Sequence, residues 1–284
     1  MGVAVADGHM GDTIRGERIS IDGAGTYDEV DCEEFVVNGS GKVSGDLYAT
    51  TVDIDGTAKV GGLVDAVDLD VDGTAKVEGD VRGETASVDG TAKFANSLSA
   101  DRLAVDGTAK VGGNLDGHDV EADGTLKVSG SLVAADARFD GTLKVGGVTD
   151  ATTLTVDGTG AFDDVNADEF SATGSVRADS VSARTVDVTV EGRSKVGSVE
   201  ATEVRVRPGE GARSLASKLL GDGDRVFEVD TVEAETVELD ATHAGTVVGD
   251  SVTLGPDAEV DVVYTDDLDG ADATVGDVRP REEY

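Results

Sequence analysis

A glycine returns every 17 residues through the middle of this chain, and few folds can hold such a sequence. The phrase VDGTAKV, or a close relative, places it at Gly56, Gly73, Gly90, Gly107, Gly124, Gly141 and Gly158. Looser copies carry the spacing to Gly23 and Gly39 on one side and to Gly174 and Gly192 on the other. A fixed period of this length marks a solenoid, in which each copy is one coil and neighbouring coils share a core.

One coil reads LAVDGTAKVGGNLDGHD from Leu103. Its small or apolar residues fall in pairs two apart: Leu103 and Val105, Ala109 and Val111, Leu115 and Gly117. That is the spacing of neighbours on one face of a strand, so three short strands per coil are expected. Asp106-Gly107 and Gly112-Gly113 separate the pairs as corners. Glycine permits the positive φ of a sharp corner, which predicts left-handed glycines there. Asn96 shares the second corner column with Gly45, Gly62, Gly79 and Gly113, and asparagine is the residue that most readily follows glycine into that region. The inward columns hold from coil to coil, one running Ile19, Phe35, Val52, Leu69, Ala86, Leu103 and Val120. Two or more glycines per coil and β-branched pairs exclude a helical reading. The expected fold is all-β: a right-handed parallel β-helix, triangular in section, with 17-residue coils.

Composition agrees. Hydrophobic residues make up 38% and aromatics only 4%, with no Trp. Such a chain builds a narrow core of Val, Leu, Ile and Ala, not a broad globular one. The net charge is -36, from 59 acidic and 23 basic residues. Disorder is excluded by the apolar columns. Adaptation to concentrated intracellular salt is the better account, because at molar salt the Debye length shrinks to about 3 Å and dense carboxylates no longer repel strongly. A halophilic, archaeal source is therefore expected, and nucleic acid is not an expected partner. Cys32 is the lone cysteine, so no intramolecular disulfide can form. No apolar run approaches the ~20 residues of a membrane span, and the start lacks the cationic region of a secretory signal. A soluble cytoplasmic protein is expected.

The array spans residues 19–206, after an N-terminal tail over 1–18. Residues 207–225 form a linker in which Ala212, Leu215, Ala216, Leu219 and Leu220 make the stripe of an amphipathic helix, closed by Gly221. Leu215, Ala216, Leu219 and Leu220 are the candidate cap over the open end of the coils. From Val226 a second β pattern runs to Val278 and predicts a second small β-helical lobe. Residues 279–284 form a tail expected to fray.

Catalytic chemistry finds no foothold. His9, His118 and His243 lie far apart and at unrelated coil positions. No phosphate-binding glycine loop occurs. Asp68, Asp70, Asp72 and Gly73 open like a calcium loop, but its twelfth position is Gly79 instead of Glu, so the match is chance. No enzyme activity, cofactor or metal is expected. Two surface columns stand out. Lys42, Lys59, Lys76, Lys93, Lys110, Lys127, Lys144 and Lys195 form one outward strip, continued by Arg177 and interrupted by Ala161. Asp55, Asp72, Asp89, Asp106, Asp123, Asp140 and Asp157 form an acidic ridge beside it. The strip reads either as repeat duplication answered by the ridge, or as lateral docking for an acidic filament neighbour, a protein partner or an anionic membrane.

The phrases KVSGDLYATTVDIDG at Lys42–Gly56, KVEGDVRGETASVDG at Lys76–Gly90 and KVGGNLDGHDVEADG at Lys110–Gly124 share V-x-G-[DN]-[LV] followed by an alternating run. In these coils, over residues 19–206, the chain resembles the bactofilins. The resemblance implies a right-handed β-helix that assembles end to end with itself, without nucleotide, into non-polar filaments that support cell shape. It carries no catalytic residues. The array is longer than the usual bactofilin domain, and the extra helix and lobe follow it. No amphipathic cap precedes Ile19, so the N-terminal end, with Ile19, Ile21, Tyr27 and Val30, is the expected end-to-end interface. A regulatory protein partner and a peripheral membrane contact are further expectations. The competing class is a non-polymerising scaffold or adhesion module that binds an acidic partner or membrane through the lysine strip. A carbohydrate-active β-helix enzyme needs loop insertions for which the constant period leaves no room.

Overall fold

The computed structural model describes residues 3–4, 13–209, 225–270 and 272–284 of the chain. Their strands wind through about 15 turns of a right-handed parallel β-helix. Two compact units are distinguished: Met1–Ala137 with Thr142–Gly146, and Arg138–Gly141 with Gly147–Tyr284.

In the first unit each regular coil has a long strand and a short one, such as Leu98–Val105 and Thr108–Val111. The long strand buries Leu98, Ala100, Leu103 and Val105. The inward spacing is two, then three, then two. The step of three at Asp101 and Arg102 turns the chain through a corner while strand pairing continues on both sides. Three faces are therefore present, but two of them share one bent strand. Register keeps apolar residue on apolar residue: Leu98 pairs with Leu115, Leu103 with Val120, and Val111 with Val128. Each buried Val or Leu contributes about 1.5–3 kcal/mol, and the columns deliver such a residue at every turn.

The corner glycines are required for a reason other than the one the sequence suggests. None of the VDGT glycines is left-handed; among the described residues Gly174, at φ 128°, is the glycine in that region and Ala241, at φ 50°, the non-glycine. Asn96 is not left-handed either. What forces glycine is the coil before. A Cβ on Gly107 would overlap the carbonyl oxygen of Gly90, and one on Gly124 would overlap the carbonyl oxygen of Gly107. That oxygen cannot step aside, because it accepts a hydrogen bond from the backbone N–H of the next threonine: Thr108 donates to Gly90 and Thr125 to Gly107, each at 2.9 Å.

The Gly-Gly corner uses side chains as well. Asp80 Oδ1 accepts from the Ser97 N–H at 3.2 Å, Ser97 Oγ from the Asn114 N–H at 3.2 Å, and Asn114 Oδ1 from the Ser131 N–H at 3.1 Å. Each polar side chain thus satisfies a backbone donor one coil later.

The second unit is less regular. Asp164–Val190 runs as one 27-residue strand through successive faces, and Ser194–Pro208 pairs with it. The predicted cap residues Leu215, Ala216, Leu219 and Leu220 lie outside the described residues. Among the described residues the helical element is a single 3-10 turn, Arg281–Glu283. Residues 226–278 are β-helical and stay in the ladder: Phe227–Leu239 pairs with Ser194–Pro208, Val204 opposite Val237 and Val206 opposite Leu239. Thr242–Leu254 follows, with Val237 opposite Val252 and Leu239 opposite Leu254, so the period shortens here to 15 residues. The tail expected to fray is instead packed. The Tyr264 and Tyr284 rings lie 5.2 Å apart, Arg279 sits 5.7 Å over the Tyr264 ring, and Arg281 pairs with Asp250.

Thr149 occupies a core position opposite Val165 and is fully buried, with no hydrogen-bond partner for its hydroxyl. Thr149→Val should therefore raise stability by about 1 kcal/mol, read from the denaturant midpoint. Gly107→Ala should cost about 1–3 kcal/mol through overpacking against the carbonyl below. Gly23→Ala, where nothing lies within 4 Å, should stay within about 0.5 kcal/mol of the parent. Equal losses at both glycines would contradict the stacking explanation.

Candidate interaction surfaces

The short strands of the first unit place Ala and Val inward and Thr and Lys outward. Parallel register then stacks lysine on lysine: Lys42 on Lys59, Lys59 on Lys76, Lys76 on Lys93, and so on to Lys144. Neighbouring strands lie about 4.8 Å apart, and like charges at that spacing are destabilising. Glu78 relieves one end of the column. Its carboxylate lies 2.7 Å from Lys76 and 3.4 Å from Lys59. Hydrogen bonds from Lys76 and then Lys59 hold its carboxyl below the usual value. Lys93, Lys110, Lys127 and Lys144 have no carboxylate within 4.0 Å.

In the second unit the same strand position changes sign. Ala161, Arg177 and Lys195 are followed in register by Glu228, His243 and Glu259. Arg193 reaches Glu228 at 2.5 Å and His243 stands 3.5 Å from Glu259. The strip therefore ends at Lys195.

The acidic ridge follows the VDGT corner, where the glycine stack holds successive aspartates one above another. Asp55, Asp72, Asp89, Asp106 and Asp123 are exposed and make no ion pair. In the second unit Arg138 spans Asp140 at 3.0 Å and Asp157 at 2.9 Å. Beside the bare ridge, Asp53 and Asp70 have raised carboxyl values. Burial is the main cause for both; Asp55 and then Asp72 add to it at Asp53, and Asp72, Asp53 and Asp89 at Asp70.

The four residues expected at the N-terminal interface are core. Ile19, Ile21, Tyr27 and Val30 are all buried, and burial pushes the Tyr27 phenol up. Ile19 and Ser20 also carry a short parallel partner, Val3–Ala4. Pairing also puts Ile14 opposite Val30, so the coils extend ahead of Ile19. The other end was not singled out by the sequence. There Asp267–Asp269 pairs with Thr242–Leu254, and Thr274–Arg279 pairs with Glu259–Tyr264. Among the described residues neither has a strand on its far side. Leu268 is 36% and Val278 49% exposed. The irregular spacing after Val262 hid this edge from a reading built on period.

Among the described residues no group of three His, Cys, Asp or Glu side chains is placed to hold a metal. Asp68 bonds to the Thr85 hydroxyl, and Asp70 and Asp72 belong to the acidic face, so the calcium-loop resemblance assembles no site. His118 is exposed on the strand Leu115–Ala122, and His9 lies outside the described residues. Cys32 is a half-buried free thiol; burial first, then Asp31, pushes it up to about 11. Among the described residues no helix is long and apolar enough to cross a membrane.

Residues 7–99 match the family model of the bactofilins, described as polymer-forming cytoskeletal. Over these residues, about a third of the chain, the coils are similar to the bactofilin domain. Neither the curated proteins nor the solved structures gave a match. The bactofilin match lies within the first unit and holds the glycine stack, the start of the lysine column and the Asp53–Asp70 face. Of the resemblance read over residues 19–206, the match covers residues 19–99.

The raised carboxyls set a pH dependence. Asp53 and Asp70 have folded-state values above the ordinary 3.8, so their ionisation disfavours the fold. The penalty is absent well below 3.8, grows as pH rises through the raised values, and is complete above them. Asp53→Asn with Asp70→Asn should raise Tm at neutral pH, and the gain should vanish below 3.8. A gain of equal size at both pH values would contradict the electrostatic cause.

Proposed function

We propose that this protein is a bactofilin-type cytoskeletal scaffold that assembles with itself without nucleotide and supports the shape of a halophilic archaeal cell. The bactofilin match, on coils of a parallel β-helix, carries this reading. An unpaired parallel edge is a template for another strand. The terminal strands Asp267–Asp269 and Thr274–Arg279 offer such an edge, with Leu268 and Val278 as apolar contacts. In the first unit the residues from Thr13 to Arg18 offer another, over a core floor of Ile19, Ile21, Tyr27 and Val30. Joining of ends needs only backbone pairing and apolar burial, which no nucleotide has to drive. The charge of -36 supports a salt-rich cytoplasm as the working environment.

The bare lysines from Lys93 to Lys144 favour a second reading, a non-polymerising scaffold or adhesion module that binds an acidic partner or a membrane. Sedimentation and electron microscopy of the purified chain at high salt separate the two. The cytoskeletal reading expects large, elongated assemblies without added nucleotide, shortened by Leu268→Glu with Val278→Glu. A sharp monomer at all protein concentrations would overturn it in favour of the scaffold.

A further inference from the structure

The short-strand face of the first unit bears two charge columns of opposite sign at a fixed offset. In one coil Asp106 stands at the corner and Lys110 four residues later, with Thr108 midway. The same offset recurs from Asp55 and Lys59 through Asp123 and Lys127, in unbroken register. Four residues of strand, rounded by a corner, separate the columns by on the order of 10 Å. Among the described residues, Lys93, Lys110 and Lys127, and Asp89, Asp106 and Asp123, make no ion pair. Between the columns the outward side chains are small threonines, and beyond the lysines the corner is glycine at Gly61-Gly62 and Gly112-Gly113. The face is flat enough for a second surface to approach.

We propose that this face binds the same face of a second copy, side by side and parallel, about a two-fold axis that runs along the coil axis over the threonine column. The geometry follows from symmetry. A two-fold along the coil axis exchanges left and right across the face and leaves the order of coils unchanged. It sets each lysine column against the partner copy's aspartate ridge, coil by coil, on both sides of the axis. A two-fold across the coil axis leaves left and right unchanged and sets lysine against lysine, so the antiparallel arrangement is disfavoured by repulsion. An anionic membrane or polyanion fits less well, because the aspartate ridge beside the lysines would repel it. A second copy supplies both signs, and its coil rise is identical by construction. At about 1 M salt the Debye length is still about 3 Å, the length of a contact pair, while the repulsion within each column acts over about 4.8 Å. Close pairs between copies therefore outlast the repulsion that keeps a lone column strained. This pairing rests on the self-assembling reading above but uses a different surface from the ends.

Cross-linking tests it on the full chain with Cys32→Ser. Thr108 lies beside the proposed axis, so Thr108→Cys on the two copies should be bridged by a bismaleimide of about 10 Å reach, the separation of packed sheets. Val133→Cys, on another face and 43% exposed in the parent, should link at least tenfold more slowly. Adding Lys93→Glu, Lys110→Glu and Lys127→Glu should abolish the Thr108→Cys link. Adding Asp89→Lys, Asp106→Lys and Asp123→Lys to that same chain should restore it, because the swapped columns are again complementary. Circular dichroism confirms folding of each exposed-site variant. Equal linking at the two sites, or linking unchanged by charge reversal, would overturn the proposal. Electron microscopy of the same samples keeps the readings apart. Filaments without the Thr108→Cys link remove the lateral contact alone, and the link without filaments removes the end-to-end reading alone.

Discussion

At the corners of the regular coils, backbone lies directly against backbone. At every regular VDGT corner a glycine lies against the carbonyl oxygen of the glycine one coil earlier, and that oxygen is already held by a threonine N–H. Coil rise, strand register and the vertical alignment of side chains all descend from this contact. Once it is set, leucine lies near leucine in the core and lysine near lysine outside. The core gains from the alignment, because like-shaped apolar groups nest. The surface does not, because like charges stack too.

That asymmetry explains how much could be read from residues alone. The apolar pairs spaced by two, as in Leu103 with Val105 and Ala109 with Val111, determine which residues face the core, because burial is a local property of spacing. The corner glycines were legible as positions but not as causes. A left-handed turn and a forbidden Cβ both demand glycine, and only the position of the neighbouring coil separates them. The bent long strand escaped notice because its corner carries Asp101 and Arg102, with no glycine to mark it. The ordered end of the chain escaped for another reason: Arg279, Arg281 and Tyr284 are held by Tyr264 and Asp250, contacts with no period to reveal them.

The two units answer stacked charge differently. In the second, Arg138 answers Asp140 and Asp157, and the face with Arg177 and Lys195 passes to Glu228, His243 and Glu259. In the first, the lysine and aspartate columns run on largely unpaired. Identical exposed charges held in line carry an electrostatic cost that a chain acting alone could lessen by changing sign along the column, as the second unit does after Lys195. The coils of the first unit keep the uniform pattern, which is the arrangement that suits repeated contact with another regular surface.

The pairing of Ser194–Pro208 with Phe227–Leu239, which are far more than one coil apart in sequence, has a consequence for how such a chain can change. Gly209 donates to the Val190 carbonyl, and the Val226 carbonyl accepts from the Ser194 N–H. Strands on either side pair as if nothing lay between them. A corner therefore acts as a port where sequence length is decoupled from register, and lengthening a flexible loop twofold costs only about 0.6 kcal/mol. New material can be fitted there without disturbing the coils, so a stack built on strict repetition can still acquire parts that do not repeat.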